Sequence, residues 1–161
     1  GTTYPAGKNG TAQGTPDEST QASAAKTSNT LVMMKRFASH YLLIPSVGFV
    51  KQQVVEISDE GVAQNIFPLT EEVESVEWLP GVIVLLPVHQ MEEIKNIGMV
   101  AKNIPVFQQN LPVLIAASSC TLNDFLDTSR KNGEVLFPYL FYPFDFTSMR
   151  PVDGTRHRLL R

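Results

Sequence analysis

Residues 79–102 read LPGVIVLLPVHQMEEIKNIGMVAK, and the change of period inside this stretch decides the fold. Val82 to Leu86 is an unbroken apolar run behind the Pro80-Gly81 break, the pattern of a strand buried on both faces. From Gln90 to Lys102 the apolar residues return every third or fourth position, at Met91, Ile94, Ile97 (or Gly98) and Ala101. That spacing predicts a helix with one inward face, ended by Ile104-Pro105.

Upstream the chain is strand-like. Residues 36–44 (RFASHYLLI) are aromatic and branched, with Pro45-Ser46 closing them, and predict one strand. Residues 53–57 and 62–67 form an expected hairpin around Ser58-Asp59-Glu60-Gly61, where Gly61 suits a positive φ. Residues 73–79 follow an acidic turn, with Val73, Val76 and Trp78 set among carboxylates. Downstream, residues 113–117 (VLIAA) predict a short strand. Residues 121–131 predict a short helix with Thr121 as N-cap, Gly133 just past its end, and Leu122, Phe125 and Leu126 facing inward. From residue 135 the chain is strand-like again, with a turn expected at 151–154 and a last strand at 155–160. The fold class expected is α+β: a small antiparallel β-sandwich or curled sheet formed by N- and C-terminal strands, with a short two-helix insert at 89–133. Strand 36–44 is expected to pair with strand 155–160.

The chain has 161 residues, 13 basic and 16 acidic side chains, and a net charge of −3. Residues 1–33 are rich in Gly, Thr, Ser, Ala and Gln, and too poor in apolar side chains to offset the entropy of ordering. They read as a disordered leader or linker, leaving residues 34–161 as a single domain. The mild acidity argues against a nucleic-acid partner. No run reaches the roughly 18–20 apolar residues of a membrane span, so no membrane association is expected. The single cysteine excludes an internal disulfide framework and fits a reducing, cytoplasmic compartment.

Glu77-Trp78-Leu79-Pro80-Gly81-Val82-Ile83, with the strands and hairpin before it, resembles the opening half of the small β domain that flanks the barrel in the amidohydrolase superfamily. Residues 123–133, 139–147 and 156–160 are similar to its closing half. The resemblance implies a β domain completed by the returning chain. It also implies metal-ligating histidines a few residues after the Leu-Pro-Gly turn. In that register stand Leu86 and Val88, with His89 one position off, and no aspartate occupies the late barrel strand that Val113 to Ser119 vaguely resembles. Neither Leu nor Val ligates a cation. The resemblance therefore implies no metal, no cofactor and no catalytic residue. What remains is a non-catalytic module acting by protein–protein association, as a homo-oligomer or with another protein, or as a small-ligand-binding scaffold.

Residues 137–146 (FPYLFYPFDF) carry six aromatics in ten positions, more than one face of a small sheet needs. Pro138 and Pro143 favour an edge strand. Tyr139, Phe141, Tyr142 and Phe144 are then a candidate interaction surface, unless the inserted helices cover them. The alternative function is a small enzyme of unrelated mechanism using Cys120, at a helix start where a thiolate is stabilised, or an acidic pair from Glu71, Glu72, Glu74, Glu77, Glu92 and Glu93. A packed cysteine and a solvated acidic face are the favoured readings of those residues. His40, His89 and His157 have no ligand spacing. Arg150, Arg156, His157, Arg158 and Arg161 form a basic stripe that reads first as an exposed strand face and second as a phosphate contact.

Overall fold

The computed structural model describes residues 34–114 and 119–161, the side chains of 119–121 excepted. The leader read at 1–33, and residues 115–117 of the strand expected at 113–117, lie outside the described residues. Lys35 to Arg161 form one compact unit. Its strands are β1 (Lys35–Ala38), β2 (Tyr41–Ile44), β3 (Gly48–Lys51), β4 (Gln53–Ile57), β5 (Ala63–Pro68), β6 (Val76–Trp78) and β7 (Val82–Leu86). Helix α1 (Val88–Asn96) and two 3-10 turns (Ala101–Asn103 and Pro105–Gln108) follow. Then come β8 (Val113–Leu114), α2 (Ser119–Lys131), β9 (Phe137–Asp145) and β10 (Arg150–Leu159). These build a six-stranded sheet in the order β10-β9-β7-β2-β3-β8 and a four-stranded sheet in the order β5-β4-β1-β6.

The α+β class, the sandwich-like stacking of two sheets and the two helices agree with expectation; four details do not. The expected strand 36–44 is two strands, because the chain leaves the four-stranded sheet after Ala38 and enters the six-stranded one at Tyr41. Residues 76–86 make the same transfer beside it, so β6 runs parallel to β1 and β7 parallel to β2. The sheets are therefore mixed rather than antiparallel. Strand 155–160 does not pair with 36–44: β10 pairs β9, β9 pairs β7, and only then comes β2. The final turn is at 146–149, not 151–154. There the Asp145 carboxylate accepts the Thr147 N–H at 2.9 Å and the Ser148 hydroxyl at 2.8 Å, an Asx-type turn that the Pro-Val-Asp-Gly stretch obscured.

The side-by-side transfer is pinned at Gly81. Its N–H donates to His40 Nδ1 (3.1 Å), its carbonyl accepts the buried Ser39 hydroxyl (2.7 Å), and Leu79 N–H donates to the Ala38 carbonyl (2.9 Å). Gly81 has φ +122°, and a Cβ there would lie 2.4 Å from the Phe141 carbonyl oxygen. Only glycine lets the two backbones approach this closely.

Three layers result. Phe37, Val55 and Ile66 from the four-stranded sheet meet Leu42, Ile83, Leu85 and Leu140 from the six-stranded one, with Leu122 and Leu126 of α2 closing that core. On the far face of the six-stranded sheet, Val82, Val84 and Leu86 pack under Met91, Ile94, Ile104 and Phe107 of the segment after β7. The central strand is thus buried on both sides, the reason its apolar run does not alternate. The two helices of the insert part company, α1 covering the outer face and α2 lying against β5. There Asn123 accepts the Ile66 N–H (2.9 Å) and donates to the Ile66 carbonyl (2.8 Å), closing a sheet edge with a side chain.

Helix α1 stops earlier than its periodicity predicts. Met99 N–H reaches the Ile94 carbonyl (3.1 Å) and Gly98 N–H the Lys95 carbonyl (3.1 Å), so Gly98 ends the helix as a Schellman cap instead of extending its apolar face. Ile97 is left exposed, and Ala101 is buried from the separate 3-10 turn. Helix α2 begins at Ser119, which places Thr121 inside it rather than at its cap.

Candidate functional site

Strand β9 holds the aromatic run and is an interior strand, between β10 and β7. The edge position expected from its two prolines is not what the chain adopts. Pro143 instead sits at an interruption of register between Tyr142 and Phe144, preceded by a cis peptide bond. The interruption shifts the alternation by one residue, so Phe144 joins Tyr139 and Phe141 on the face covered by α1 and the 3-10 turns. Phe107 stacks edge-on against Phe141 at 5.1 Å and tilts against Phe144 at 5.6 Å. Of the four proposed surface aromatics, Tyr139, Phe141 and Phe144 are therefore core residues, 5%, 0% and 7% exposed, while Tyr142 is 50% exposed. Association through the first three would require those rings to leave the core.

Tyr142 faces the other way, together with Leu140. Arg156 stands across from Tyr142 and Arg158 across from Leu140 on β10, so both arginines share that face. With Leu79 and Pro80 from the turn into β7, these residues line a groove of about 430 Å³. No strand of the four-stranded sheet lines it; Tyr142 and Pro80 are exposed in it, Leu79 is half-buried and Leu140 is buried beneath them. Arg156 and Arg158 have no ion-pair partner among the described residues. His157, between them, alternates to the opposite face of the strand, where it stays exposed and lies 5.5 Å from the Phe141 ring. Partial desolvation, and then the Lys95 ammonium, hold its imidazole below the ordinary value. The positive charge of the groove is that of the two arginines.

A second cavity, of about 590 Å³, lies between the 3-10 turns and the β9–β10 turn. Its two cations are already engaged. Lys102 pairs with Asp153 at 2.5 Å and holds that carboxyl below its usual range, and Arg150 donates to the Phe107 carbonyl at 2.6 Å. A smaller cavity beside Trp78, of about 280 Å³, contains His40, whose ring packs on Trp78 (4.8 Å) and Phe146 (4.6 Å) while its Nδ1 is taken by Gly81. That histidine works for the fold.

The remaining sequence candidates scatter. Leu86 is buried in the core, Val88 and His89 stand exposed on α1, and among the described residues no cluster of His, Cys, Asp or Glu could hold a metal ion. Cys120 lies in the first turn of α2, and its side chain is outside the described residues. Glu71, Glu72, Glu74, Glu77, Glu92 and Glu93 are all exposed. Among the described residues the buried carboxylate is Glu56, which no sequence signal marked; it accepts from Arg36 Nε (2.9 Å) and Asn65 Nδ2 (2.9 Å), a structural pair on the four-stranded sheet. No helix among the described residues is long and apolar enough to cross a membrane. Comparison with protein-family models, curated proteins and solved structures finds no match to this chain.

Proposed function

We propose that the protein is a non-catalytic binding module, a β domain of the kind that flanks amidohydrolase barrels but without the barrel, and that it holds its ligand in the groove between Leu79-Pro80 and the β9–β10 hairpin. The kinship is supported by the Leu-Pro-Gly turn feeding a central strand, with Leu and Val at the register of the metal ligands. One observation carries the binding role: an apolar lining of Leu79, Pro80 and the half-exposed Tyr142, over the buried Leu140, bordered by two guanidinium groups with no ion-pair partner among the described residues. Concave sites of some hundreds of Å³, mostly apolar with a few convergent polar groups, are where small ligands bind.

The test is a fragment screen on the full chain, read by amide chemical shifts. Hits are expected to perturb Leu79, Leu140, Tyr142, Arg156 and Arg158 together. Hits confined to the Lys102–Asp153 cavity, or none at millimolar concentration, would remove the groove as the site.

A further inference from the structure

The groove beside Leu79 and Pro80 is electrostatically one-sided, because no carboxylate among the described residues lines it. In the neighbouring cavity each cation is already engaged, by Asp153 or by the Phe107 carbonyl. Arg156 and Arg158 differ in having nothing to neutralise them within the described residues. They are two apart on one strand, so their stems are rooted roughly 7 Å from each other and point to the same side. Long side chains rooted so can converge on one anion, and a guanidinium offers a planar fork that matches a carboxylate in two parallel hydrogen bonds. Beneath them, Tyr142 provides a half-exposed ring, and Leu79 and Pro80 provide accessible apolar surface over the buried Leu140.

We propose that the groove takes a small organic acid: a carboxylate gripped by Arg156 and Arg158, on a flat apolar body laid against Tyr142, Leu79 and Pro80. This rests on the binding role proposed above and names its ligand class. Hydrogen bonds to charged groups and the screened attraction of two cations both favour the anion over its neutral isostere, by about tenfold or more.

The experiment titrates the full chain with 2-naphthoate and with 2-naphthamide, which share size and ring but not charge, by calorimetry and amide shifts. Naphthoate is expected to bind in the groove at least about tenfold more tightly than the amide, and to weaken as salt rises from 50 to 500 mM. The double variant R156Q/R158Q is expected to lose that preference while unfolding at the wild-type temperature, since both side chains are exposed. Equal binding of acid and amide in the groove would overturn the ligand class and leave the binding role standing. Naphthoate bound outside the groove, or not bound at all, would also overturn the ligand class. The binding role itself falls only if the fragment screen leaves the groove untouched.

Discussion

Gly81→Ala is expected to cost the domain about 3 kcal/mol or more, and to lower its melting temperature by roughly 10 °C or more. The added Cβ would meet the Phe141 carbonyl oxygen at 2.4 Å, far inside contact distance, and φ +122° is a backbone conformation that residues with a Cβ rarely adopt. Neither side can yield cheaply. The Phe141 backbone belongs to an interior strand paired on both edges, and Gly81 is held through its own N–H and carbonyl by His40 and Ser39. Gly154, with nothing within 4 Å of its position, supplies the control: Gly154→Ala should stay within about 0.5 kcal/mol of wild type. Thermal unfolding of both variants checks the contrast, and equal melting temperatures would show that the two chain transfers do not meet at Gly81.

Phe141→Ala carries the second large effect, a loss of about 3–5 kcal/mol in urea unfolding. The ring is fully buried between the six-stranded sheet and the segment after β7, touching Phe107 on one side and His157 on the other. The void left by truncation is closed in by strands that cannot collapse into it. Tyr142→Ser, one residue along the same strand, removes a half-exposed ring and should cost no more than about 0.5 kcal/mol. Comparable losses at the two positions would mean that β9 does not divide into a covered and an open face. Replacing Tyr139 and Phe141 by Ser, the pair a surface reading would choose to break an oligomer, is expected to break the fold.

The parts of this architecture that local pattern carries were legible in the sequence. The run Val82–Leu86 announced a strand buried on both sides, the hairpin turned at Gly61 with φ +87°, and Leu122, Phe125 and Leu126 faced inward from α2. What failed depended on partners far along the chain. Ser39 and His40 look like the middle of one strand until Gly81, over forty residues later, supplies the hydrogen bonds that let the chain change sheets. Pro138 and Pro143 argued for an edge because each lacks a donor, yet β9 is interior; Pro143 falls where the register with β10 breaks, while Pro138 sits opposite Leu85 in an unbroken ladder. That break also decided the site. Six aromatics in ten residues signalled two faces, but which rings lay on which face turned on one slipped residue that alternation cannot show. The alternating arginines 156 and 158 were visible as a stripe; that Leu79 and Pro80 would wall them into a groove was not.

Hydroxyl-radical footprinting of the native chain, read residue by residue by mass spectrometry, tests the division of β9 most directly. Tyr142 should be modified strongly while Tyr139, Phe141 and Phe144 stay protected until the protein unfolds. Modification of Tyr139 or Phe141 at a rate comparable to that of Tyr142 would contradict the account.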